Sequence, residues 1–170
     1  VAEPTIKSWF NVLQATGLVT FLQPYFENTT KRILKTPKFY FMDTGLACYL
    51  TRWTDAVVLE KGAMAGAILE TYVVSEIIKS FLHNGQTPPV YYYADKNRRE
   101  VDILIHHAGV IHPVEIKKSA SIRNTSFRGF DDLGVLKTTL RHGCVLMMTK
   151  DIVPYSSTVD LVPMGKKKKN

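Results

Sequence analysis

The chain has 170 residues, 45% of them hydrophobic, which is enough to bury the core of one large domain or two small ones and excludes a disordered or fibrous protein. Its formal net charge is +7, but Lys166–Lys169 supply four of those charges in one terminal block, so the basic character is mostly a tail. Cys48 and Cys144 sit in apolar settings without metal-type spacing and read as reduced thiols of a cytoplasmic protein. No apolar run is long enough to span a bilayer, and with Val1 rather than Met at its start the sequence is expected to be part of a longer polypeptide.

Pro4 suits a first helical turn, and Ile6, Trp9, Phe10 and Leu13 recur at helical spacing up to Gly17, predicting an amphipathic helix with a covered stripe. A strand is expected over 18–26, a polar turn over 27–32 and a second strand from about Lys38 to Met42. A helix followed by a two-stranded ribbon is the second half of a winged helix-turn-helix, so residues 1–55 read as a partial winged-helix lobe. In a winged helix that binds nucleic acid, the exposed helix face enters the major groove and the ribbon touches the backbone. That geometry makes Lys7 and Asn11 on the helix, with Lys31 and Arg32 in the turn, the candidate nucleic-acid contacts. A solvated polar face or a protein contact is the competing reading of the same residues.

Asp43 is placed to cap the next helix, through Leu46 and Tyr49 to about Arg52. Residues 53–61 show no period and read as the connection between lobes. The longest helical pattern runs from Gly62 to His83, with Leu69, Val73, Ile77 and Phe81 spaced by four. Glu70 falls between Ile77 and Phe81 on the helical wheel and faces the core, while Gly62, Ala63, Gly66 and Ala67 offer a close approach on the same side. After the Asn84-Gly85 break and Pro88-Pro89 a strand starts at Val90, its three tyrosines reading as packing residues. Phe127, Phe130, Leu133 and Leu136 suggest a further helix, Cys144–Met148 a buried central strand, and Val159–Val162 an edge strand. The second domain is therefore expected over 56–165, with a lysine-rich tail at 166–170.

Between these elements lies the most informative stretch, Arg99 to Ser119. It reads as two short apolar strands joined by His106-His107-Ala108-Gly109, with Asp102 interrupting the first and Glu115 and Lys117 the second. Charges inside buried strands need a partner, a metal or a chemical role. If the turn pairs Ile105 with Val110, Asp102 lies opposite Pro113 on the face that carries Glu115, and diagonal neighbours sit roughly 7–8 Å apart, close enough to share a cation. A β-bulge would break that register.

Asp102, Glu115 and Lys117 on paired strands, with Glu70 on the preceding helix, resemble the active-site signature of the PD-(D/E)xK nuclease superfamily. The order helix, three strands, helix, strand resembles that superfamily's core. The proline before the Asp is Val101 here. More closely, the chain resembles the uncharacterised domain found C-terminal to the P-loop module of bacterial and archaeal AAA-type ATPases, through the blocks 35–46, 66–76, 91–102 and 113–117. No GxxxxGK[ST] phosphate loop occurs in the chain, so the resemblance places ATP binding in a separate N-terminal module.

The fold expected is mixed α/β, a restriction-endonuclease-like lobe preceded by the partial winged helix. The resemblance implies Mg²⁺ or Mn²⁺ held by Asp102 and Glu115, with Glu70 as a further metal ligand. It also implies Lys117 as the group that orients water or offsets transition-state charge. Three functions compete: a nuclease controlled by the ATPase, a module that binds nucleic acid without cutting it, and a regulatory domain that contacts the ATPase or another protein.

Overall fold

A computed structural model describes residues 1–27, 36–95, 99–121, 130 and 133–165. The chain is mixed α/β as expected, with four α-helices and nine strands among the described residues. It divides into two compact units, residues 1–22 with 37–87 and residues 23–36 with 88–170. The boundary expected near residue 55 falls inside the first of these.

In the first unit, α1 (Glu3–Ala15) ends where Gly17 adopts φ +73°. The Gly17 and Leu18 amides then donate to the Gln14 and Leu13 carbonyls, both at 3.0 Å, which satisfies the helix's last acceptors. The stripe is not covered as the spacing suggested. No residue of α1 is buried and Trp9 is 57% exposed. Phe10 does pack edge-on against Phe21 and Phe39, with centroids 5.8 and 5.4 Å away. Those two rings belong to a ribbon in which the start of β1 (Val19–Pro24) pairs antiparallel with β2 (Lys38–Phe41).

Asp43 accepts from the Leu46 amide at 3.0 Å and starts α2 (Thr44–Leu50). The stretch without a period proves to contain α3 (Ala56–Lys61), capped by Asp55 on the Val58 amide; six residues are too few to display a repeat. Gly62 ends it beneath Trp53, whose ring a Cβ at that position would approach to 2.2 Å.

The long helix, α4, spans Ala65–His83. Its buried face is turned from the expected one and centres on Val73, Val74, Ser75 and Ile78, leaving Gly66 and Ala67 exposed. The small residues therefore do not provide the close approach.

The second unit is a sheet. Gln23 and Pro24, at the end of β1, pair in parallel with β3 (Val90–Ala94), which is antiparallel to β4 (Glu100–His107) and so leads to β5 (Val110–Ile116). Beyond β5 lie β7 (Gly143–Met147) and β9 (Val159–Pro163), all three parallel, while the short β6 (Thr139–Leu140) also flanks β5. The central position of β7 is as expected, with Val145 fully buried. The strand at Val159 is not the edge, because β8 (Val153–Pro154) pairs antiparallel outside it.

One core cluster joins Tyr25, Val101, Leu104, Ile111 and Leu133. The helix expected around Phe127 lies largely outside the described residues; a 3-10 turn at Leu133–Val135 is what is described of it. Lys31, Arg32, Lys35, Lys96, Asn97 and the lysine tail also lie outside them. Among the described residues no helix is long and apolar enough to cross a membrane.

Candidate active site

The β4–β5 hairpin is present, but its register is two residues tighter than the turn residues suggested. Strand pairing continues to His107↔Val110, and the reversal uses only Ala108 and Gly109, at φ +50° and +76°. Positive φ at both central residues is the two-residue turn whose twist matches a hairpin. Ile103 then pairs with Val114, the last pair of the ladder, so Asp102 and Glu115 each stand one residue beyond it, near enough for the Asp102 charge to act on Glu115.

A bulge does occur, on the other side of β4. Tyr91 pairs with Leu104 but Tyr93 with Val101, so Asp102 and Ile103 together oppose the single residue Tyr92. Bulges locally disrupt a ladder and re-aim side chains. Here the β4–β5 ladder stops at Ile103↔Val114, and the Ile116 amide donates instead to Asp102 Oδ2 at 2.8 Å. The Asp102 carboxylate is thereby fixed to the backbone between Glu115 and Lys117.

Glu115 is buried, 8% exposed, and is with Ser75 one of two buried polar residues among the described residues. Its Oε1 accepts from Lys117 Nζ at 2.5 Å, while its Oε2 is buried with no hydrogen-bond partner among the described residues. An unsatisfied buried carboxylate oxygen carries its full desolvation cost. Burial first, and the nearby Asp102 charge second, push the Glu115 carboxyl up to about 7 against the opposing pull of Lys117 and of the Asp102 backbone amide. Lys117 is itself about one-third exposed, so its ammonium faces both the carboxylate and solvent. The structure thus brings Asp102, Glu115 and Lys117 together.

Glu70 lies in the first unit, where Lys38 Nζ and the buried Tyr40 hydroxyl both donate to its Oε1, at 3.1 and 2.5 Å. Sequence reading placed Glu70 on the inner face of its helix but not these partners, which stand some 30 residues away on β2. Among the described residues no group of three or more His, Cys, Asp or Glu side chains is arranged to hold a metal ion. Of the candidate nucleic-acid contacts, Lys7 and Asn11 are exposed on α1, with Lys7 paired to Glu3 at 2.7 Å. Cys144 is a free thiol that burial and Asp160 push up to about 11, which makes it a packing residue rather than a nucleophile.

Two clefts of the second unit were not anticipated. One, of about 610 Å³, is bordered by Tyr25, Tyr91, His106 and Lys137; the other, of about 670 Å³, by Pro113, Phe130, Arg141 and Tyr155. Only spatial proximity assembles their walls, so no local motif marks them.

Comparison with known proteins gives a family but no function. A model described as Domain of unknown function (DUF4143) matches residues 65–166, and another, Domain of unknown function (DUF8612), matches residues 1–57. Uncharacterized protein Rv2008c of Mycobacterium tuberculosis and Uncharacterized protein Mb2031c of Mycobacterium bovis are each 30% identical to the chain over 165 residues. The alignment covers 96% of the chain and 35% of each relative, so the chain spans about a third of the length of the curated proteins it matches. No solved structure matches it significantly. Since the first model spans more than half of its residues, the chain belongs to the DUF4143 family.

Proposed function

We propose that the chain is the C-terminal module of an AAA-type ATPase and that its β4–β5 hairpin is a nuclease-like, metal-dependent phosphodiesterase site for nucleic acid. The observation that carries this reading is Glu115 Oε2, a buried carboxylate oxygen without a donor among the described residues, on a residue whose ionised form is further opposed by the Asp102 charge.

A divalent cation answers both deficits at once. Mg²⁺ and Mn²⁺ take oxygen donors, and Mg²⁺ commonly binds through one or two carboxylates and completes its shell with water and substrate phosphate. Asp102 and Glu115 are the residues that would hold it. When bound, such an ion polarises a phosphodiester and acidifies a coordinated water.

The other contributions come from the chain. Asp102 is held in place by the Ile116 amide, and the hairpin buries Glu115 away from bulk water. Lys117, on the same side of β5 as Glu115, offers an ammonium to the negative charge that gathers on phosphoryl oxygens. The four sequence blocks and the greater length of the relatives support a companion ATPase module, through which alone ATP would act.

A second reading, a catalytically silent DNA-binding or regulatory module, is favoured by one observation: Lys117 already closes on Glu115. Full-length protein incubated with plasmid and single-stranded substrates in Mg²⁺ or Mn²⁺ separates the two. The enzyme reading expects nicking that depends on the cation and falls at least ~100-fold in Asp102→Asn and Lys117→Ala. Equal nicking by wild type and variants overturns it, and cation binding without nicking supports the silent module.

A further inference from the structure

The larger cleft of the second unit has a wall chemistry that the hairpin does not use. Pro113, Leu140 and Val159 line it with apolar side chains, and Phe130 and Tyr155 add aromatic rings. Arg141, Ser156, Ser157 and Thr158 complete the lining with polar groups. No carboxylate contributes to the wall among the described residues. His142 is also at the rim, but its Nε2 is held 3.1 Å from Asp160 Oδ2, so the cationic character rests on Arg141. The Arg141 guanidinium has no ion-pair partner among the described residues, while its backbone amide is fixed to the Ile111 carbonyl at 2.9 Å.

The position of the cleft adds a second constraint. Pro113 and Glu115 are two residues apart on β5, and alternation along a strand puts residues so spaced on one face. Two residues of strand advance about 7 Å. A chain molecule seated against Pro113 would therefore reach the Glu115 carboxylate within the span of a single nucleotide.

We propose that this cleft seats single-stranded nucleic acid next to the hairpin, with Arg141 on a phosphate and Phe130 and Tyr155 against the bases. Cationic groups interleaved with aromatic faces are the chemistry of strand binding without sequence preference, because every base offers a π-face and every linkage a charge. A volume of about 670 Å³ is in the range of sites for ligands of nucleotide size. The adjacency to Glu115 rests on the phosphodiesterase reading, whereas the binding itself does not.

The test is the affinity of full-length protein for a short labelled single-stranded oligonucleotide, measured in chelator across a salt series. Arg141→Ala should weaken binding about tenfold and make the salt slope shallower by about one unit, as loss of a phosphate contact does. Arg141→Lys should keep most of the affinity. Unchanged affinity and slope in Arg141→Ala overturn the proposal, as does a mononucleotide that competes as well as the oligonucleotide.

The two readings fail separately. Binding that depends on Arg141 without any nicking removes only the phosphodiesterase. Nicking that depends on Asp102 with an unaltered KM in Arg141→Ala removes only the cleft.

Discussion

Glu70 and Glu115 are both carboxylates set into apolar patterns, one on a helix and one on a strand, and their surroundings differ in kind. Glu70 receives two donors on a single oxygen, Lys38 and Tyr40, and keeps about a quarter of its side chain in solvent. Glu115 is nearly sealed, accepts from Lys117 on Oε1, leaves Oε2 without a hydrogen-bond partner among the described residues, and faces a second carboxylate. The first is a polar group with its bonding answered within the first unit. The second is left with a deficit that a cation would relieve, and such arrangements cluster at functional sites.

The sharpest way to break this comparison is the pair Glu115→Gln and Glu70→Gln in the cation-dependent nicking assay. Glu115→Gln should lose activity by at least ~100-fold. Glu70→Gln should keep it within about threefold, since one of its two donors can still bond to an amide oxygen. An equal collapse in both variants would mean that Glu70 also serves the reaction.

Acidity gives the next largest effect. Between the ordinary carboxyl value of 4.5 and about 7, the folded chain binds a proton at Glu115 that the unfolded chain does not. Stability from this group is therefore full below about pH 4.5, is lost as pH rises through 7, and does not return above it. The loss is of order 2–3 kcal/mol, or a melting temperature lower by about 5–10 °C at pH 8 than at pH 5. Glu115→Gln should flatten that part of the profile. Mn²⁺ should raise the wild-type melting temperature at pH 8 and have little effect at pH 5, where a proton occupies the carboxylate. A rise of equal size in Glu115→Gln would place the ion elsewhere.

Tyr40→Phe probes the other side of the comparison. It removes one of the two donors to Glu70 Oε1 and leaves Lys38 in place, so about 1 kcal/mol should be lost, or roughly 2–4 °C. The response to Mn²⁺ should be unchanged. Calorimetry with and without the ion checks both.

Much of the hairpin is legible in the sequence because a period of two is a strong constraint. Alternation along β5 puts Glu115 and Lys117 on one face whatever the register, and a shift of two preserves the parity of the paired residues, but the bulge at Asp102 and Ile103 takes Asp102 out of that pattern. The error in register came from the turn. Ala108 is not a residue that advertises positive φ, so the sequence suggests a four-residue turn where the reversal uses two.

Elsewhere the missing information was long-range. The stripe of α1 fits a covered helix, yet nothing in 13 residues states what covers it, and in the structure none of them is buried. The turned face of α4 has the same origin: Leu69 and Val74 are both apolar, and only packing chooses between stripes. The bulge at Asp102 and Ile103 depends on the pairing with Tyr92, and the Lys38–Tyr40–Glu70 contacts on a ribbon distant in sequence.

The smallest effect expected lies at the turn that sets this register. Ala108 holds φ +50°, where a Cβ meets the carbonyl oxygen and costs an L-residue roughly 1 kcal/mol, whereas Gly109 beside it holds +76° at no such cost. Asn tolerates the left-handed region, and Asn-Gly is the preferred pair for this reversal. Ala108→Asn should therefore raise the melting temperature by about 1–3 °C with nicking and the Mn²⁺ response unaltered. Ala108→Val, which is β-branched and ill-suited to positive φ, should lower it. If both substitutions leave the melting temperature unmoved, the two-residue reversal is not the one that sets Asp102 beside Glu115, and the register argument for the site fails with it.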